Sequence, residues 1–312
     1  MNVCSLFSGI GGIDLGFAQA GLNIIWANEI DPAACKTYRH NFKNSKLVQG
    51  DIKKIAPHSI PDFDVLVAGF PCQSFSIAGK QRGFNDRRGN LFFEITKIVD
   101  IKRPKVVFLE NVANLLEHDN GRTFLVIYNC LAQFGYSVYY KVMSAADYGN
   151  IPQNRQRIYI VAVKENEGLK YTHPSPVGLT VSTSDIVHRS ERKNDIYYYK
   201  TGKMTDFLER KVIDKSAIYN MHDSLALRPK NRLCPTLTAS MGMYDDMVPV
   251  LRDDFGVRKL TLRECLDFQG FPPDFYFPNT ITINDAYKQI GNSVCVPVIR
   301  IIAENIRKTL QR

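Results

Sequence analysis

Residues 1–163 alternate short apolar runs with stretches of helical spacing, and this restricts the fold more than any other feature of the chain. "NVCSLF", "LNIIWAN", "DVLVAG", "KVVFLE", "YSVYYKVM" and "RIYIVAV" read as strands. Between them, "GIDLGFAQAG", "PAACKTYRHNF", "NLFFEITKIVDIK" and "GRTFLVIYNCLAQFG" carry the apolar spacing of helices. Such alternation implies an α/β domain built on a mostly parallel sheet. Ligands of these sheets bind at the C-terminal ends of strands. Phe7 to Gly12, Glu29, Cys72 and Glu110 all fall at those ends.

From about Lys164 to Arg258 the texture changes. Charged, polar and Tyr-rich segments such as "SERKNDIYYYKTGK" break the periodicity and imply a smaller domain of irregular or β structure. "KLTLRECLDFQGFPPDF" resumes helical patterning, and "SVCVPVIRIIAENIRKTLQR" reads as an amphipathic helix returning to the first domain. The expected division is 1–175 plus 284–312 for one lobe and 176–283 for the other.

The chain has 312 residues, 45% of them apolar, enough to bury a core. No apolar run approaches the roughly 18–20 residues of a membrane span, and "MNVCSLFSGIGG" lacks the charged start of a signal peptide. A cytoplasmic protein is expected. The seven cysteines form no CxxC pair, so no metal site is expected and reduced thiols are. Lys and Arg outnumber Asp and Glu by 40 to 31. Part of that excess is clustered. "GKQRGFNDRRGN" holds Lys80, Arg82, Arg87 and Arg88 in one glycine-rich loop, and "QNRQR" adds Arg155 and Arg157. Positive charge on such loops suits contact with polyphosphate.

"LFSGIGGIDLG" joins the first strand to the first helix. Its glycines allow a tight turn and close approach of a ligand to backbone. Glu29 closes the second strand, placed to accept both hydroxyls of a ribose. A dinucleotide fingerprint needs glycine where Asp14 stands, and Asp14 near the helix start would repel a pyrophosphate. A cationic nucleoside without phosphate, S-adenosylmethionine, fits better. "GDI" offers Asp51 for the adenine amine and Ile52 for its face.

Cys72, just past a strand end in "GFPCQSFS", is placed where loop N–H groups lower a thiol pKa and favour nucleophilic attack. Glu110 ends the apolar strand of "PKVVFLENV", where desolvation favours a proton-bearing carboxyl suited to general-acid work. None of the six histidines sits in a partner motif for the thiol, so cysteine-hydrolase chemistry fits poorly.

Taken in order, "LFSGIGG", Glu29, "GDI", "GFPCQSFS", "DRRGNLF", "FLENV", "QNRQR", "RKLTLRECLDFQGFP" and "AYKQIGNSV" resemble the DNA (cytosine-5)-methyltransferases of bacterial restriction–modification systems. The resemblance implies a class I S-adenosylmethionine-dependent methyltransferase fold with a smaller target-recognition domain. It implies a cofactor held by Phe7, Gly9, Ile10, Gly11, Gly12, Glu29, Ile30, Asp51, Ile52, Pro71, Leu91, Asn292, Ser293 and Val294. Cys72 would attack C6 of a flipped cytosine, Glu110 would engage N3, and Arg157, with Arg155 nearby, would orient the base and Glu110. Gln73 and Ser76 would position the loop and DNA backbone, and Lys80, Arg82, Arg87 and Arg88 would meet phosphates. Thr236 would contact phosphate, Thr238 to Met241, including Ser240, would lie near the major groove, and Arg228, Lys230 and Arg232 would contact base or phosphate. The partner would be double-stranded DNA. The enzyme would act as a monomer, with a cognate restriction endonuclease encoded nearby but not as a stable subunit.

Two departures stand out. Ile30 replaces the aromatic residue that often follows the ribose-binding acid, so adenine packing needs another partner, and "DYGNIPQNR" is one residue longer than the common pattern, which would shift Arg155 and Arg157 slightly. Two alternatives are kept. A tRNA-methylating relative would carry a Cys-Phe-Thr in the small domain, which is absent between Lys164 and Arg258. A catalytically inactive DNA-binding relative is opposed by the presence of Cys72, Glu110 and Arg157. The basic, glycine-rich tail of the stretch from Gly69 to Gly89 is expected to be a lid that moves with Cys72 and stands open without DNA.

Overall fold

The computed structural model describes residues 1–70, 91–165, 168–220, 232–243 and 247–311. Seven strands form one sheet: β1 (Asn2–Leu6), β2 (Asn23–Glu29), β3 (Lys46–Gln49), β4 (Val65–Gly69), β5 (Val106–Val112), β6 (Tyr136–Ser144) and β7 (Gln156–Lys164), in the order β3-β2-β1-β4-β5-β7-β6. Pairings from β3 to β5 are parallel, and β7 runs antiparallel to β5. Strand order therefore reverses between β1 and β4, the kind of point where open α/β sheets hold ligands. Helices α1 (Gly12–Gln19), α2 (Pro32–Asn41), α3 (Leu91–Lys102) and α4 (Arg122–Gln133) fall where apolar spacing places them.

The centre of the sheet is apolar on both faces. Val65 to Ala68 and Val106 to Leu109 are fully buried, as expected of strands covered by helices on each side. One core gathers Leu6, Trp26, Leu66, Phe92, Val107, Leu131 and Ile160. Each such side chain contributes about 1.5–3 kcal/mol by leaving water.

The chain divides into two compact units. The first is Met1–Met143, Gln156–Ser175 and Ile299–Arg312; the second is Ser144–Arg155 and Pro176–Val298. The second unit holds α5 (Ala145–Gly149), α6 (Lys203–Lys211), the antiparallel hairpin of β8 (Val250–Asp253) and β9 (Gly256–Lys259), α7 (Leu262–Asp267) and α8 (Ile283–Asn292). Helix α9 (Val296–Leu310) begins there and ends in the first unit. Leu208, Val212, Ala217, Tyr219, Val250 and Val257 form a small core. Beside it, Arg258 is buried and donates from Nε to Asp253 Oδ2 at 2.7 Å and from its terminal nitrogens to both Glu264 oxygens at 2.8 Å. Among the described residues, no helix is long and apolar enough to cross a membrane, and no group of three His, Cys, Asp or Glu could hold a metal.

Candidate active site

The turn after β1 is built on unusual backbone. Phe7, Gly9 and Gly11 have φ of 55°, 55° and 87°. Left-handed backbone is costly for a bulky aromatic, and such strain gathers at ligand sites. Gly11 begins α1 without a side-chain cap, and a Cβ there would lie 2.3 Å from the Phe42 ring. A Cβ on Gly9 would meet nothing within 4 Å, so that position faces open space. Ile10 and Gly12 are buried beneath the turn.

Glu29, at the end of β2, is buried and fixed by three backbone amides. Its Oε1 accepts from Ile30 N and Asp31 N, and its Oε2 from Gly9 N, all at 2.8 Å. A carboxylate offers about four acceptor sites, which leaves capacity for a hydroxyl. Ile30 beside it is 62% exposed. Asn28 was not singled out in the sequence, yet its buried Nδ2 donates to Val48 O at 3.0 Å and Gly50 O at 2.9 Å. It thereby sets the bend leading to Asp51, which is half-buried and accepts from Lys53 N at 3.0 Å. Ile52 packs into the core, and Leu91 packs against the same core. Pre-set carboxylate, open glycine turn and exposed apolar Ile30 suit a ribose-bearing ligand with a flat apolar base.

Asp14 corrects one expectation. It does not face the turn's ligand side as a repelling charge. It is fully buried, accepting from Ser5 Oγ at 2.5 Å and Tyr38 Oη at 2.6 Å. Burial raises its pKa to about 6, against the opposing pull of those two hydroxyls.

Glu110 is buried at the end of β5, directly opposite Tyr159 of β7, while Val112 faces Arg157. Arg157 is thus diagonal to Glu110 on one face of the pair, and its Nε lies 3.1 Å from Glu110 Oε1, the two side chains 16% and 11% exposed. The ion pair offsets part of the cost of burying the carboxylate. Asn111, also unremarked in the sequence, is buried and donates to Phe70 O at 2.8 Å. That bond ties the end of β5 to the last described residue before Pro71.

Pro71, Cys72, Gln73, Ser76, Lys80, Arg82, Arg87, Arg88, Arg228 and Lys230 lie outside the described residues, as does the expected lid. The six described cysteines are all buried. Burial raises the thiols of Cys4, Cys234 and Cys265, brings Cys35 to about 11 and pushes Cys295 up to about 12.

In the second unit Arg155 is buried and donates from its Nη1 to Leu237 O at 2.8 Å, and from its Nη2 to Gly291 O at 3.5 Å and to Ser293 O. Thr236 Oγ1 donates to Asn154 O, Thr238 and Ser240 share a hydroxyl contact at 2.7 Å, and Arg232 is exposed. Asn292 is exposed at the end of α8, and Val294 is buried. Ser293 Oγ is buried without a hydrogen-bond partner among the described residues, a group that a ligand would satisfy.

Sheet topology defines a Rossmann-like α/β protein with a mostly parallel sheet. The comparisons carry this further. A family model described as C-5 cytosine-specific DNA methylase matches residues 1–308. The type II methyltransferase M.Bsp6I of Bacillus sp. (strain RFL6) is 48% identical over 315 residues, covering 99% of both chains. The type II methyltransferase M.SsoII of Shigella sonnei is 42% identical, covering 99% of this chain and 80% of its own. A crystal structure of a Spodoptera frugiperda DNMT2 mutant shares the fold with a TM-score of 0.77 at 21% identity, over 100% of this chain and 99% of that one. The chain belongs to the C-5 cytosine-specific DNA methylase family. It is a DNA (cytosine-5-)-methyltransferase of the type II kind found in restriction–modification systems. The family implies S-adenosylmethionine as cofactor and DNA as substrate.

Proposed function

We propose that this enzyme methylates C5 of a flipped-out cytosine within a specific sequence of duplex DNA, with Cys72 as nucleophile and Glu110 and Arg157 as its partners. The observation that carries this reading is the buried Glu110 carboxylate with Arg157 Nε 3.1 Å away, at the C-terminal end of β5. The cysteines support it too. Attack on a pyrimidine ring needs an accessible thiolate, and each of the six described thiols is buried.

Cys72 thiolate adds to C6. Glu110 engages N3 and keeps negative charge off the ring, so C5 gains enamine character. Arg157 holds Glu110 and the base in register. After methyl transfer, loss of the C5 proton expels Cys72. The cofactor supplies an electrophilic methyl on a sulfonium. Glu29 would take the ribose, Gly9 and Gly11 would admit it to the backbone, Ile30 would lie beside it, and Asp51 would meet the adenine amine. Phe7, Ile10, Gly12, Ile52, Pro71, Leu91 and Asn292 to Val294 complete the assignment.

Target reading is assigned to 176–283, with Thr236, Thr238, Ser240, Arg228 and Arg232 toward DNA, and with Gln73, Ser76, Lys80, Arg82, Arg87 and Arg88 on its backbone. The enzyme acts as a monomer in the bacterial cytoplasm and protects host DNA from an endonuclease of the same specificity that is not a stable subunit. Methylation of plasmid DNA and of tRNA with tritiated cofactor, followed by conversion sequencing, tests this. The expected result is 5-methylcytosine in one DNA context. Label in tRNA alone would refute it.

A further inference from the structure

We infer that Arg155 is a positioning residue that clasps the DNA-reading segment to the cofactor-holding segment, so that each ligand strengthens binding of the other through it. This deepens the reading above and rests on its assignment of Thr236, Thr238 and Ser240 to DNA and Asn292–Val294 to cofactor.

The clasp has three layers, all within the second unit. The first is Arg155 itself. Its buried guanidinium bonds the carbonyl of Leu237 on one side and those of Gly291 and Ser293 on the other. A planar guanidinium presents donors in a fixed fork, so one side chain can hold two segments at a set spacing. The second layer is its own strand of chain. Asn154 N donates to Cys234 O at 2.8 Å, Cys234 N to Pro152 O at 2.7 Å, and Leu237 N to Gln153 Oε1 at 3.3 Å.

The third layer is backbone on backbone. The 3-10 turn at Ala239–Gly242 lies directly on α8. A Cβ on Gly291 would stand 2.1 Å from Thr238 C, and one on Gly242 would stand 2.3 Å from Asn284 O. Segments held this closely move as one body, because close-packed interfaces have few intermediate arrangements. Whatever orders Thr238 to Ser240 therefore orders Gly291 to Val294, and the reverse. Linkage makes that coupling reciprocal.

The test measures a coupling factor, not an activity. Affinity for a short duplex, carrying the cytosine context that conversion sequencing reveals, is measured by fluorescence anisotropy with and without S-adenosylhomocysteine. S-adenosylhomocysteine affinity is measured by titration calorimetry with and without that duplex. Wild type should show the same factor in both directions, about tenfold within the range typical of coupled sites. Arg155→Lys keeps the charge but cannot bridge both sets of carbonyls, and its factor should fall to about twofold or less.

Gly291→Ala favours the helix itself while displacing the turn, so it should lose the factor even if Arg155→Lys fails to fold. Thermal melts identify the folded variants. A merely structural arginine would lower both affinities and leave their ratio unchanged. A wild-type factor of one, or folded variants that keep the wild-type factor, overturns the inference while leaving the site assignment standing. Absence of S-adenosylhomocysteine binding in wild type overturns the cofactor assignment and the clasp with it.

Discussion

Replacing Asp14 by Asn should abolish a pH dependence of stability that comes from one buried carboxyl. Asp14 is fully buried, and its pKa rises from 3.8 to about 6. The folded state therefore binds more protons than the unfolded chain between those values. Stability then falls as pH rises through that window and stays lower above it. A rise of this size corresponds to about 3 kcal/mol at roughly 1.36 kcal/mol per pKa unit. In Asp14→Asn the amide still accepts one hydroxyl hydrogen bond from Ser5 or Tyr38 and carries no charge to bury. Urea unfolding of both proteins from pH 4 to pH 7.5 gives the difference directly. Wild type should lose about 2 kcal/mol of that relative to Asp14→Asn between about pH 4 and pH 6.5, the remainder lying below pH 4. A difference that stays flat with pH, or one that grows in favour of wild type as pH rises, would refute the reasoning.

Other outcomes follow from the same geometry. Gly11→Ala puts a Cβ 2.3 Å from the Phe42 ring at a φ of 87°, so it should cost about 1–3 kcal/mol in a thermal melt and weaken S-adenosylhomocysteine binding in calorimetry. Arg157→Ala removes the cation beside Glu110; tritium transfer should fall by on the order of 10²-fold or more, with S-adenosylhomocysteine affinity little changed. Arg258→Ala leaves Asp253 and Glu264 buried without their partner, and should destabilise by about 3–5 kcal/mol in urea. Neutralising Arg82 or Arg88 should reduce the slope of log affinity for DNA against log salt by about one each if each meets a phosphate.

β1, β2, β4 and β5 are legible because buried parallel strands are nearly all apolar. β3 escaped notice because "KLVQ" is a four-residue edge strand that is half-exposed, with no apolar run to mark it. α8 was missed because "INDAYKQIGN" is polar on its exposed side and ends in Gly-Asn, which reads as a turn. For Asp14 the sequence points the wrong way, because a carboxylate near a helix start suggests a solvent-facing charge. Helical geometry instead turned it inward, onto Ser5 and Tyr38. Glu110 and Arg157 are far apart in sequence, and only the antiparallel register of β5 and β7 puts them side by side. Asn28 and Asn111 carried a signal that went unused: an amide at the end of an apolar strand must spend its donors on backbone nearby. Arg155 gave no hint of its carbonyl partners, because these come from segments distant in sequence.

The most direct measurement is identification of the cysteine that bonds to DNA. Wild-type protein is incubated with S-adenosylmethionine and duplex DNA containing 5-fluorocytosine, whose fluorine blocks the final elimination. The covalent complex is then digested and its peptide mapped by mass spectrometry. The account predicts an adduct on the peptide carrying Cys72, and no complex with Cys72→Ala. An adduct on the peptide of Cys4, Cys35, Cys130, Cys234, Cys265 or Cys295, or undiminished trapping by Cys72→Ala, would contradict it.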